Sequence, residues 1–129
     1  MNKIIVEVSI GELLDKVSIL EIKQEKIKDT EKLKFINNEH FILKDQLEKN
    51  VKSDEKLERL YQSLKEINSK LWLIEDKKRL CEKEKDFGEK FIKLSRDVHF
   101  LNDDRAKIKL EINNHTGSTI KEIKEYTNY

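Results

Sequence analysis

Two runs of polar residues sit where a helical chain should be apolar, and both carry groups able to hold a ligand. In "FLNDDRAKIKLEIN" (100–113), Asn102, Arg105, Lys109 and Asn113 recur at steps of three and four, beside Leu101, Ile108 and Ile112. On a helix that spacing gathers them on one side. An arginine there suits a small anionic ligand, because its planar fork grips a carboxylate or phosphate through two bonds at once. In "NSKLWLIEDKKR" (68–79), Asn68, Trp72, Glu75 and Arg79 follow at i, i+4, i+7 and i+11, which would make a second wall of the same site. Glu12 and Asp15 in "ELLD" offer two carboxylates on one face, and Glu21 with Glu25 offers two more. Carboxylates of this kind could hold Mg²⁺ for nucleotide hydrolysis, although the paired-glutamate order that helical pyrophosphohydrolases use is missing.

Each group has a structural meaning as well. An arginine in an apolar seam can set register and choice of partner. A guanidinium buried there needs acceptors, since an unpaired buried charge is very costly. Asn68, Asn102, Glu12, Asp15 or a second subunit could supply them. If register is its only role, Arg105→Leu should be neutral or stabilising. Trp72 could anchor an interface edge, Glu75 and Arg79 could pair along the helix, and Asp76 could bridge to Arg96.

Other chemistries are poorly served. His40, His99 and His115 lie far apart, and none is one turn from another histidine or from Cys81, so no metal site and no cofactor is expected. Gly11, Gly88 and Gly117 suit helix ends and form no phosphate loop. The 27 basic residues nearly cancel the 26 acidic ones, which gives no general pull toward nucleic acid. No stretch approaches the roughly 20 apolar residues of a membrane span. A lone cysteine, Cys81, fits a reducing compartment, so a cytoplasmic protein is expected.

The elements that would position these groups are helices. With 41% charged residues, no proline and strong periodicity, the chain reads as all-α, with solvated outer faces. Residues 1–8, with "KIIVEV", read as a short extended arm. Ser9 and Glu12 form a capping box that opens a helix over 9–28, with an apolar stripe of Leu13, Val17, Leu20 and Ile27 that includes Gln24. A second helix follows over 30–49 with Leu33, Ile36, His40, Leu43 and Leu47. The third, over 54–84, alternates steps of three and four from Leu57 through Leu60, Leu64, Ile67, Leu71, Ile74 and Lys78 to Cys81. That is a coiled-coil seam. Asp86 caps a fourth helix over 87–114, whose seam runs from Phe87 through Phe91, Leu94, Val98, Leu101 and Arg105 to Ile112. Residues 118–129 form a tail with Ile120, Ile123 and Tyr126 as anchors.

Short connections make neighbouring helices antiparallel, so the whole reads as one antiparallel bundle dominated by a long coiled-coil hairpin. The first two helices are too short to cover that hairpin, which points to a homodimer or a protein partner.

Several stretches together resemble a family of small uncharacterised bacterial proteins, a domain of unknown function. They are "VSIGELLDKVSILEIKQEKI" (8–27), "NSKLWLIED" (68–76), "DFGEKFIKLSRDVHFLNDDRAKIKLEIN" (86–113) and "GS" (117–118). The resemblance spans nearly the whole chain and brings no activity with it. It marks Glu12, Asp15, Lys16, Asn68, Trp72, Glu75, Asp76, Arg96, Asn102, Asp103, Arg105 and Asn113 as matched polar positions. The uninterrupted heptads and the excess length of the hairpin make a homo-oligomeric assembly or adaptor protein the expected role. The alternative is a small anionic ligand held by Arg105, Asn102, Glu75 and Asn68.

Overall fold

A computed structural model describes residues 2–125 and 127–129. Four helices follow one another: α1 (Ile10–Lys26), α2 (Thr30–Asn50), α3 (Glu55–Glu84) and α4 (Glu89–Thr116). The described residues contain no strand, and residues 2–8 run without regular structure.

Side-chain caps start the first three helices. Ser9 accepts from the Glu12 N–H at 3.0 Å, Asp29 from those of Glu31 and Lys32, and Asp54 from that of Leu57 at 2.8 Å. Each satisfies donors that the first turn of a helix would otherwise leave open. The start of α4 departs from the expected cap. Gly88, not Asp86, occupies the cap position and makes no side-chain cap bond. Asp86 instead accepts from the Gly88 N–H inside the turn, so Phe87 lies outside α4. The turn opens at Lys85, whose φ of 54° is left-handed, an uncommon conformation for a residue with a Cβ. Gly117 takes the same conformation at the end of α4, where glycine adopts it at little cost.

The hairpin of α3 and α4 is the longest feature, yet burial concentrates in α1. Gly11, Leu14, Asp15, Val17, Ser18, Leu20 and Ile22 are all buried, whereas no residue of α2 is. The cause is position: α2, α3 and α4 all pack on α1. A helix apolar on most sides has to be enclosed, and "LLDKVSILEI" is such a segment. Its core residues are therefore Leu14, Val17, Leu20 and Ile22, in place of a single stripe through Leu13 and Ile27. Ile27 ends the helix as its C-cap.

The core lies at the open end of the hairpin. Leu14 meets Leu57 and Leu64 of α3 and Ile112 of α4, with Ile10, Leu47, Val51, Leu60, Tyr61 and Ile108 around them. Burying each large side chain there stabilises the fold by about 1.5–3 kcal/mol. α1 spans about 26 Å and the hairpin helices more than 40 Å at 1.5 Å per residue. The tip beyond α1 is thus two helices thick. Cys81 is buried there, Phe87 packs edge-on against Phe91 at 5.5 Å, and the Lys78 ammonium lies over the Phe91 ring.

Candidate functional site

The polar centre begins with a close approach. A Cβ on Gly11 would sit 2.7 Å from the Lys109 carbonyl oxygen and 2.9 Å from the Asn113 side-chain oxygen, so glycine lets the start of α1 lie directly on α4. The same approach brings the Gly11 N–H to Asn113 Oδ1 at 2.7 Å and the Ile10 N–H to Ser118 Oγ at 3.1 Å. One turn further along α1, Asp15 and Ser18 point inward because they share the buried side with Leu14 and Ile22.

Asp15, only 2% exposed, is the hub. Arg105 donates to both of its oxygens, from Nε at 3.0 Å and from Nη2, and reaches Asn102 through Nη1. Asn68 Nδ2 donates to Asp15 Oδ1 and to Ser18 Oγ, each at 2.8 Å, and the Ser18 hydroxyl donates to the Asp15 carbonyl. Lys109 lies 3.6 Å from Asp15, 2.7 Å from Glu12 and 3.1 Å from Glu122 of the tail. Three helices and the tail therefore meet on one network.

The network holds its charges. The bond from its fork to Asp15 raises the Arg105 pKa against the opposing effect of burial. Burial pushes the Lys109 ammonium down, and Glu12, Asp15 and Glu122 more than reverse it. Lys124 and Lys109 keep the Glu122 carboxyl below its ordinary range.

A second node joins α1, α2 and α3. Glu21 accepts from the Tyr61 hydroxyl, pairs with His40 at 3.2 Å and lies 3.8 Å from Lys65. Burial pushes Glu21 up, yet Tyr61, His40 and Lys65 outweigh it and hold the group below its ordinary 4.5. Burial and Glu21 drive Tyr61 far upward. A depressed carboxyl stabilises the fold above its unfolded pKa and stops doing so as pH falls through the folded value. Stability should accordingly decline as pH drops below about 4.5, and Glu21→Gln should flatten that part of the curve in urea titrations at stepped pH. An unchanged slope would remove Glu21 from the acid response.

Two clefts flank the Asp15 hub. The larger, about 580 Å³, runs between α4 and the tail and includes Asn102, Asp103, Arg105, Lys109, Glu122 and Tyr129. The smaller, about 330 Å³, opens between α1 and the hairpin, with Asn68, Trp72, Glu75, Arg79 and Arg105 in its lining. Beyond the geometry, a family model described as a family of unknown function, DUF6165, matches residues 4–129. The chain belongs to DUF6165. No curated protein and no solved structure matches it.

In this DUF6165 chain the residues singled out from sequence divide four ways. Asn68, Trp72, Glu75 and Arg105 share the smaller cleft, while Asn102, Asp103 and Arg105 share the larger. Glu12 and Asp15 are engaged by Lys109 and Arg105 beneath them. Asn113 lines neither cleft; it is buried against Gly11, and its Nδ2 is an enclosed polar atom with no partner among the described residues. The expected Glu75–Arg79 and Asp76–Arg96 pairs do not form among the described residues. Arg96 lies instead over the Phe100 ring. These side chains are exposed, and an exposed pair gains too little to fix two long side chains.

The carboxylates considered for Mg²⁺ are committed to other partners. Glu12 and Asp15 face Lys109 and Arg105, and Glu21 and Glu25 face Lys65. No described trio of His, Cys, Asp or Glu is grouped to hold a metal.

Sequence reasoning missed Ser18, Ser118 and Glu122. Ser18 had a usable signal, lying one turn after Asp15 on the same side. The tail had none: its attachments include Ser118, Glu122 on Lys109, and Tyr129, which donates to Asp103 and packs on His99 and Phe100. Ile123 is 74% exposed and Ile120 only 37%. Tyr126 lies outside the described residues.

Proposed function

We infer that this DUF6165 protein is a cytoplasmic scaffold that pairs with a second copy of itself and offers its coiled-coil hairpin to a protein partner. The observation that carries the reading is surface. The chain exposes 9567 Å², whereas a compact monomer of 15.4 kDa exposes about 7,200 Å². The excess is of the order that one subunit of an obligate dimer buries.

Much of it is apolar. Phe35 is 77% exposed, Phe41 72% and Ile42 50%. Phe35 and Ile42, seven residues apart, share the face of α2 turned away from α1. Ile4, Ile5 and Val6 of the arm are more exposed than most surface residues. A second copy is the favoured occupant because the lysines and acidic residues of α2 cancel, so the helix can face its own image without repulsion. The network around Asp15 fits the same reading, since its charges answer one another and hold α1 across the hairpin.

Light scattering during size exclusion tests this. Wild type should elute with the mass of two chains at micromolar concentration, and Phe35→Glu with Phe41→Glu should give one chain at unchanged helix content. A wild type that stays a monomer at every concentration defeats the reading.

A further inference from the structure

The smaller cleft differs from the rest of the polar surface in holding groups that the fold leaves unused. Asn68 is 5% exposed, and the orientation of its amide is dictated by chemistry. Ionised Asp15 can only accept, so Nδ2 must face it, and Nδ2 also reaches Ser18. The Asn68 carbonyl oxygen then lies on the other side, where it accepts nothing from the described residues. It is not sealed in, because the enclosed unpartnered atom among the described side chains is Asn113 Nδ2. A buried amide whose acceptor is left open toward a cleft is poised for a donor from outside.

Its neighbours are uncommitted too. Trp72 is half-buried in the lining and its indole N–H has no partner among the described residues. Arg105 keeps N–H bonds that neither Asp15 nor Asn102 takes. Ile19, Ile22 and Leu71 supply apolar wall. Glu75, Asp76 and Arg79 line the cleft with no ion pair among the described residues.

The larger cleft is unlike this. There Lys109 engages Glu12 and Glu122, Asn102 accepts from Arg105, and Asp103 accepts from Tyr129.

We propose that the cleft between α1 and the hairpin binds an uncharged planar heterocycle of nucleobase or nucleoside type, seated beside Trp72 with an N–H of one base edge, ring or exocyclic, on the Asn68 carbonyl and an acceptor of the same edge on Arg105. The cavity of about 330 Å³ lies at the lower end of small-molecule sites. An indole beside a fixed acceptor and a fixed donor suits a flat ring that carries both kinds of group on one edge. Charge selects against phosphorylated forms: the Asp15 carboxylate neutralises Arg105, and Glu75 with Asp76 outnumber Arg79. The site is independent of pairing between copies, so either can fail without the other.

Trp72 is the chain's one tryptophan, so its emission reports from the site alone. The full chain is titrated with adenine, uracil and adenosine, with adenosine monophosphate as the charged control. A saturable change with a base or the nucleoside is expected, weaker by about tenfold or more for the monophosphate. Asn68→Ala should weaken the response at least about tenfold, with thermal unfolding followed in parallel. Ile19→Phe, which fills the apolar wall without touching the Asp15 network, should abolish the response and covers the case in which Asn68→Ala does not fold. No saturable change with any of the three uncharged probes overturns the proposal. So does a monophosphate that binds as well as adenosine, or a response that survives Ile19→Phe.

Discussion

Arg105→Leu is expected to destabilise the folded chain toward the lower end of the about 3–5 kcal/mol that breaking a buried ion pair costs. A seam position alone would argue the opposite, because replacing a buried polar cluster with apolar side chains is often neutral or better. That precedent applies when both partners go. Here the single change leaves Asp15, 2% exposed, without the fork that bonds both its oxygens. Asn68 at 2.8 Å remains, and Lys109 at 3.6 Å takes up part of the charge, which is why the lower end applies. Arg105→Lys should fall between, since an ammonium cannot make the two parallel bonds. The double variant Asp15→Leu with Arg105→Leu should recover most of the loss. Urea unfolding followed by circular dichroism measures all three, and a single Arg105→Leu as stable as wild type would show that Asp15 does not depend on it.

That contrast marks where reading the sequence works. Arg105 stands out because it interrupts an apolar period, Asn68 because it opens a polar stripe beside the seam of α3, and Asp15 because it is one of two carboxylates on one face of "ELLD". The period also located α3 and α4, since a seam kept without a slip over so many turns fits little besides two packed helices. The partners were harder. In the sequence Arg105 has Asn68, Asn102, Glu12, Asp15 or another subunit as candidate acceptors, and only the crossing of α1 over the hairpin makes Asp15 its main one, with Asn102 beside it. The full apolar girth of α1 was likewise there to be read. A single stripe takes in Val17 and Leu20 but leaves out Leu14 and Ile22, because a helix enclosed on three sides has no single stripe. The tail had nothing to read, since Glu122, Ser118 and Tyr129 attach through isolated contacts that follow no period.

Gly11 looks from sequence like a residue that merely helps start a helix, and its replacement should therefore surprise. Gly11→Ala is expected to destabilise by about 1–3 kcal/mol, the usual cost of forcing a group into a filled space. Alanine's better helix propensity, worth up to about 1 kcal/mol, should offset only part of it. The obstacle nearest the new Cβ is the Lys109 carbonyl at 2.7 Å, which belongs to the α4 backbone and cannot rotate aside. The start of α1 must then lift, stretching the Gly11 bond to Asn113, the Ile10 bond to Ser118 and the Lys109–Glu12 pair together. Gly11→Ala with Asn113→Ala removes the obstacle at 2.9 Å but not the one at 2.7 Å, so it should recover little. Urea unfolding decides the matter, and a Gly11→Ala chain as stable as wild type would mean that α1 and α4 have room to spare. The same lift should be felt far from the substitution. Ile19 and Ile22 of α1 line the cleft that contains Trp72, so moving the helix changes the surroundings of the indole and shifts its emission while the chain is still folded.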